Sequence, residues 1–362
     1  MKIKMKNPFF SVIIPVYKIR KDFLSTCITS IVSQSFRDIE VLIVDDGSPD
    51  GCGILCDNYA EEDERIKVIH QINQGVSVAR NVGVEAACGK WIMFVDPDDW
   101  VKENTYEMLY NHLRNSDLDI LMFRHVKVVD GKYEILKFAL APNIVYDTSD
   151  VSVKEELYRL GMGPKQVGYY GFQYCWDKIY SREFLIKHDI RFPVGIPKSQ
   201  DKVFVLRCLE KVRKFQLIDD VVYCYRQNID SICYRYSENA DISRVKLAEV
   251  LIPISHRMDD EIGEIKGCVK GRYTVIYNEC INFLFFIITD ILFLKFFHPD
   301  NPLCNKERFR QARHFVQSEP FKKVIKQVKY SDLSKARKIK KILLSTGCVR
   351  IYYILFKKIR KL

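Results

Sequence analysis

Two short acidic clusters are the first residues whose types and spacing suggest chemistry. Asp45-Asp46-Gly47 puts adjacent carboxylates on a turn, with Gly47 letting the chain reverse. An ionised aspartate only accepts hydrogen bonds. The pair therefore suits the imide N–H of a uracil or thymine ring, or a ribose hydroxyl; an ordinary Asp turn closed by its own backbone bonds is the other reading. Asp96-Pro97-Asp98-Asp99 packs three carboxylates into four residues. They repel one another, and holding them at a buried site costs free energy. A divalent cation removes that cost. Mg²⁺ or Mn²⁺ prefers oxygen ligands, takes one or two carboxylates and completes its shell with phosphate and water. A metal-bridged diphosphate is the ligand that fits; a solvated acidic loop is the alternative. Between the clusters runs Asn73-Gln74-Gly75-Val76-Ser77-Val78-Ala79-Arg80-Asn81-Val82-Gly83. Gly75 lets backbone approach a ligand, and a helix opens there or at Ser77. Arg80 lies about one turn in, where it either faces phosphate or is a surface arginine.

The elements that must position these residues alternate strand and helix. Phe10 to Tyr17 is a short β-branched apolar run, suited to a parallel strand covered on both faces. Phe23 to Ser35 carries Leu24, Cys27, Ile28 and Ile31 at helical spacing. Val41–Val44 is a second strand, Ile66–Ile69 a third, Val76–Ala87 a helix and Trp91–Val95 a fourth strand. This alternation predicts a mostly parallel α/β sheet with helices on both faces. Its ligands bind beyond the carboxyl ends of the strands, and both acidic clusters lie there. Residues 119–129 and 133–139 flank Asp130-Gly131, a hairpin signal. From about residue 240 the pattern is helical. Val275 to Phe297 is rich in Phe, Ile and Leu, but Glu279, Asp290 and Lys295 interrupt it. A membrane span needs roughly 20 predominantly apolar residues, so a buried or interfacial helix is expected.

The chain has 362 residues, 48% of them hydrophobic, and a net charge of +11. The charge is not spread evenly. Lys306 to Leu362 holds 18 Lys/Arg and three acids, whereas residues 1–305 hold 39 bases and 43 acids. The body therefore needs no polyanion partner, and nucleic-acid binding is not expected. The twelve cysteines are scattered, with no Cys-x-x-Cys, and read as small buried hydrophobes of a reducing cytosol. No signal peptide is expected, because the apolar run after the basic N-terminus is broken by Pro15.

Four segments in order, Ser-Val-Ile-Ile-Pro-Val-Tyr (11–17), Ile-Val-Asp-Asp-Gly-Ser (43–48), Asn-x-Gly-x-Ser-x-Ala-Arg-Asn-x-Gly (73–83) and Phe-Val-Asp-x-Asp-Asp-Trp (94–100), resemble glycosyltransferase family 2. The resemblance is strongest over residues 8–102 and extends to about 235. It implies a GT-A fold, a Rossmann-like α/β architecture with a C-terminal helical region, and a nucleotide-sugar donor. It divides the chain into a catalytic domain over 1–235, with a nucleotide-sugar half (8–130) and an acceptor half (131–235), and a helical region over 236–362. On this resemblance Pro15, Val16 and Tyr17 line the nucleoside pocket and Asp46 meets the base, with Asp45 beside it. Gly75 and Arg80 lie near the diphosphate. Asp96 and Asp98 form the metal and ribose pair with Mn²⁺ or Mg²⁺, and Asp99 is a further ligand. Lys18 stands where the family often has Asn.

An inverting transferase also needs a base for the acceptor hydroxyl. The family's base is usually the Asp of a Glu-Asp pair at a helix start. Gly195-Ile-Pro-Lys-Ser-Gln-Asp-Lys-Val offers Asp201, preceded by Gln200 rather than Glu. Ser199 has the side chain of an N-cap, and Asp201 falls in the first turn, where the helix dipole favours a carboxylate. Trp176-Asp177-Lys178 resembles an acceptor-side feature, with Trp176 either stacking on a sugar or packed in the core beside a salt bridge. Tyr225 and Arg226 read as structural, Arg226 also as a diphosphate contact.

Ser334 to Leu362 carries ten Lys/Arg, no acid and many aliphatics and aromatics. It reads as an interfacial amphipathic segment on anionic lipid, against a solvated helix packing on the catalytic body or a nucleic-acid tail. The expected activity is inverting, metal-dependent hexosyl transfer from a nucleotide-diphosphate sugar, with UDP the expected nucleotide. The acceptor is a glycan or lipid-linked chain of a capsule, O-antigen or exopolysaccharide. The enzyme would lie in the cytoplasm, peripheral to the inner face of the membrane. A nucleotidyltransferase or a non-catalytic nucleotide or glycan binder are the alternatives.

Overall fold

The computed structural model describes residues 7–129, 132–135, 138–164, 172–227 and 236–357. The chain forms two compact units, Met1–Leu157 with Lys165–Asn228, and Tyr158–Pro164 with Ile229–Leu362.

The first unit opens with β1 (Phe10–Val16), α1 (Lys21–Val32), β2 (Ile39–Asp45), α2 (Cys52–Glu62), β3 (Ile66–His70), α3 (Val76–Ala86) and β4 (Trp91–Phe94). It continues through β5 (Trp100–Val101), α4 (Thr105–Leu113), β6 (Ile120–Val129), β7 (Lys132–Ile135), β8 (Val145–Asp147) and α5 (Val151–Met162), the helix in which the chain leaves the unit. β9 (Lys178–Ser181), α6 (Arg182–Lys187), α7 (Gln200–Leu209) and β10 (Lys214–Arg226) complete it. The sheet runs in the order β3-β2-β1-β4-β9-β6-β10-β5, with β7 on β6 and β8 on β10. β3, β2, β1 and β4 are mutually parallel, and β6 and β10 are parallel to each other. β9, β5, β7 and β8 pair antiparallel.

Every residue of β1, β2 and β4 is buried, as continuous apolar runs in a doubly covered sheet require. α3 lies directly on β1 because Gly83 has no side chain; a Cβ there would come within 2.4 Å of Ile13 Cγ2. The chain leaves β1 toward β2 and β3, then returns to its other side as β4. That reversal opens the crevice at the carboxyl ends of β1 and β4, where ligands of open α/β sheets bind. The hairpin pairing appears between β6 and β7, with Val126 opposite Ile135; its Asp130-Gly131 turn lies outside the described residues. α2, β5 and β9 carry too few apolar repeats to stand out in the sequence.

The second unit is helical: α8 (Ala240–Ile265), α9 (Val275–Ile291) continued by a π-helical turn over Leu292–Phe296, α10 (Asn305–Gln317), α11 (Phe321–Gln327), α12 (Lys335–Ser345) and α13 (Val349–Phe356). α9 buries ten of its side chains, Ile281, Leu284 and Ile288 among them, and packs on α8 and α11. It is a core helix. Among the described residues, no helix is long and apolar enough to cross a membrane. Asp259 of α8 accepts hydrogen bonds from the amides of Ile276 and Tyr277, both at 2.8 Å, and so caps α9.

Candidate active site

β2 ends in Asp45, and Asp46 follows it. Asp46 is 2% exposed. Its Oδ1 accepts from Gln71 Nε2 (2.7 Å) and the Gln74 amide (2.8 Å), its Oδ2 from Asn73 Nδ2 (3.1 Å) and the Gly75 amide (2.8 Å). Four donors fill the carboxylate, so in this arrangement Asp46 folds the 71–75 loop rather than offering an open acceptor to a base. Gly75 sits at φ +90°, a conformation open to glycine, and a Cβ there would meet nothing within 4 Å. The loop thus leaves open space over Gly75 next to the crevice. Asp45 accepts from the Ser48 amide and from His70 Nδ1, each at 3.0 Å, and His70 Nε2 lies 2.9 Å from Asp57. Hydrogen bonds to Asp45 and then Asp57 raise the His70 pKa. Nothing local in the sequence marks this histidine. Pro15 and Val16 are buried in β1 opposite Val44 and Asp45. Tyr17, just beyond, is 43% exposed and free to flank a ligand.

The carboxyl end of β4 and the start of α7 meet through Arg80. Its guanidinium is 3% exposed; Nη2 donates to Asp96 Oδ1 at 2.6 Å and Nη1 to Asp201 Oδ1 at 2.5 Å. Burial opposes the positive charge, but the two carboxylates outweigh it and Arg80 stays protonated. Arg80 therefore faces carboxylates, not open phosphate-binding space. Burial raises the pKa of Asp201; Arg80 counteracts only part of the rise, and the nearby Asp96 charge adds to it. The next residue, Asn81, exchanges two hydrogen bonds with the backbone of Phe192 (Nδ2 to O at 3.1 Å, and Phe192 N to Oδ1 at 2.8 Å). Phe192 stacks on Phe204 of α7 at 3.9 Å. Arg80 and Asn81, adjacent on α3, thus place α7 and its Asp201 beside β4. Asp201 lies in the first turn as the sequence suggests. Ser199, however, has φ +67° and makes no side-chain cap bond; that left-handed backbone lies outside the extended geometry an N-cap side chain needs.

Within the second acidic cluster the three carboxylates differ. Asp99 is fully buried; it accepts from Tyr223 Oη at 2.8 Å and from the Arg226 amide at 2.7 Å. Both oxygens are held by β10, so Asp99 is an anchor and not an available ligand, contrary to the sequence reading. Tyr223 Oη also accepts from the Asp96 amide, and Arg226 Nε donates to the Asp98 carbonyl, so β10 clasps the whole loop. Asp98 makes no ion pair among the described residues. Burial, then the neighbouring Asp96, pushes its pKa up to about 6. An underneutralised carboxylate of this kind suits a hard divalent cation, with one oxygen of Asp96 beside it. Among the described residues no three His, Cys, Asp or Glu side chains converge to hold a metal; a cation here would complete its shell with phosphate and water, as the donor set allows.

A family model for glycosyl transferase family 2 matches residues 11–185. This domain belongs to glycosyltransferase family 2. The chain is 32% identical over 226 residues to the uncharacterized glycosyltransferase EpsJ of Bacillus subtilis (strain 168), covering 62% of this chain and 63% of that protein. It is 27% identical over 238 residues to the poly(ribitol-phosphate) beta-glucosyltransferase of Bacillus spizizenii, covering 63% and 34%. The crystal structure of Staphylococcus aureus TarS 1–349 in complex with UDP-GlcNAc superposes with a TM-score of 0.59 at 18% identity, over 97% of this chain and 91% of that one, which shows the shared GT-A fold.

Trp176 is 3% exposed. Its ring stacks on Tyr174 (4.8 Å), Tyr223 (4.6 Å) and Tyr225 (5.5 Å) and meets His125 edge-on. Wrapped this way it has no open face for a sugar among the described residues; it is a core tryptophan beside the buried Asp177–Lys178 pair, 2.5 Å apart. Among the described residues, seven cysteines are buried. One of them, Cys175, hydrogen-bonds Asp201.

Proposed function

We propose that the protein is an inverting, metal-dependent glycosyltransferase that moves a hexose-type sugar from a UDP-sugar to a glycan or lipid-linked acceptor of a cell-surface polymer. The reading rests on one observation: Asp98, Asp96 and Asp201 stand together at the carboxyl ends of the parallel strands, two of them joined by a buried arginine. The UDP-GlcNAc complex of TarS and the beta-glucosyl transfer to poly(ribitol-phosphate) named for the Bacillus spizizenii protein support the donor and acceptor classes. Asp98 and Asp96 would hold Mn²⁺ or Mg²⁺ against the donor diphosphate. The bound cation would supply charge neutralisation for the departing diphosphate. Tyr17 and the 71–75 backbone would flank the nucleotide. Asp201, with a pKa raised by burial, would take the proton of the acceptor hydroxyl as its oxygen attacks the anomeric carbon. A lipid-linked acceptor together with a nucleotide-sugar donor would put the reaction at the cytoplasmic face of the membrane.

The test is hydrolysis or transfer of UDP-hexoses with Mn²⁺. Released UDP that requires the cation and disappears in Asp98→Ala supports the reading. A fully active Asp98→Ala enzyme overturns the metal assignment.

A further inference from the structure

The last two helices depart from the pattern of an ordinary surface helix, which buries its apolar stripe and turns polar residues outward. α12 buries Lys341 and Leu344, and α13 buries Val349, Tyr352 and Phe356. Lys341 Nζ donates to the carbonyls of Val328 and Lys326, so its ammonium caps the C-terminal end of α11. That bond and the Leu344, Tyr352 and Phe356 contacts commit one face of each helix to the unit. The opposite faces are not polar. Ile339 and Ile342 on α12, and Ile351, Ile354 and Leu355 on α13, are between 48% and 62% exposed. Lys335, Arg337, Arg350 and Lys357 are exposed as well, and no acid occurs in residues 334–357.

We propose that the outer faces of α12 and α13 form a docking surface for an anionic phospholipid bilayer. The two helices already have their core contacts, so the outward aliphatics are not waiting for the rest of the unit. Bases alone would suit any polyanion. Bases interleaved with exposed isoleucine and leucine suit an interface that removes aliphatic surface from water while supplying negative charge, as the headgroup and acyl boundary does. A polynucleotide supplies the charge without the apolar phase. The surface extends the membrane-side part of the proposed function, yet it is read without turnover, so its failure and the failure of the catalytic reading are separable.

The experiment is co-sedimentation of the full chain with vesicles of phosphatidylcholine alone and of phosphatidylcholine with phosphatidylglycerol, at low and high salt. Pelleting with the anionic vesicles only, weakened by salt, is expected. Each base near an anionic surface contributes about fivefold. The combined variant Lys335→Gln, Arg337→Gln, Arg350→Gln, Lys357→Gln should therefore lose on the order of several hundred-fold in partitioning. Ile351→Ser with Ile354→Ser and Leu355→Ser should lose at least about tenfold at high salt. These side chains are exposed, and unchanged circular dichroism would show that the variants fold. No binding, equal binding to neutral vesicles, or an unaltered charge variant would overturn the proposal. So would an unaltered aliphatic variant whose binding a polynucleotide displaces, since that identifies a polyanion site.

Discussion

Arg80 Nη1 lies 2.5 Å from Asp201 Oδ1 across 121 residues of sequence, while Nη2 of the same guanidinium holds Asp96 at 2.6 Å. One buried cation thus links the loop that would hold the donor to the carboxylate that would deprotonate the acceptor. The planar guanidinium aims fixed, divergent donors at the two carboxylates; a lysine ammonium is a compact point charge and does not reproduce that fork. Arg80→Lys should retain the fold but lose activity by at least about 100-fold, through misplacement of Asp201. Arg80→Ala would leave two half-buried carboxylates without their buried partner, at a cost of up to about 3–5 kcal/mol. Thermal melts should fall by roughly 6–20 °C for a unit of this size. A wild-type melting curve for Arg80→Ala would show that the bridge does not support the fold.

The base assignment separates binding from chemistry. Asp201→Asn should lower turnover by about 10²–10⁴-fold. Stabilisation by UDP-sugar in a thermal shift should persist, because the donor side is untouched. Since burial raises the Asp201 pKa and the base works ionised, activity should fall as pH drops. An Asp201→Asn variant that turns over normally would transfer the role to another group.

Asp98 makes a prediction for the ligand-free protein that concerns pH and stability. Its folded pKa of about 6 lies above the usual carboxylate value. The folded state therefore binds a proton more tightly than the unfolded state, and the charge costs stability at neutral pH. Asp98→Asn should raise the melting temperature by a few degrees near neutrality, equivalent to about 1–3 kcal/mol. The gain should shrink as pH falls through about 6 and vanish near the pKa of the unfolded group. An equal gain at both ends of that range would mean that the effect is not ionisation.

Asp46 organises the loop by accepting four hydrogen bonds. Asp46→Ala leaves those donors without their acceptor and should cost about 2–5 kcal/mol. The 71–75 loop should become more susceptible to protease, and nucleotide affinity should drop at least about tenfold. Measuring both distinguishes loop disorder from loss of a direct base contact, which would spare the protease resistance.

Asp259 offers a control in the helical unit. Asp259→Ala uncaps the Ile276 and Tyr277 amides and should destabilise that unit by about 1–3 kcal/mol. Amide exchange should accelerate at the start of α9 while UDP-sugar binding stays unchanged.

Much of this protein is readable locally. Strands β1, β2 and β4 announce themselves because a doubly covered parallel strand needs an unbroken apolar run, and the acidic clusters must then fall at their carboxyl ends. Asp201 in the first turn of α7 follows from local pattern as well, and so does the helix α9, whose choice between core and interface the sequence left open. The +15 balance of the last 57 residues is pure composition. What each of these side chains touches was not readable. Three aspartates in one four-residue stretch look alike in sequence. Only the fold, by bringing Tyr223 and Arg226 of β10 to Asp99 and Arg80 of α3 to Asp96, leaves Asp98 with no ion pair among the described residues. Trp176 could face a sugar or the core until Tyr174, Tyr223 and Tyr225 closed around it. The outward aliphatics of α12 and α13 emerged only once Lys341 and Leu344 were seen to face the unit. Periodicity depends on neighbours a few residues away, whereas charge pairing and exposure depend on distances that the tertiary fold alone creates.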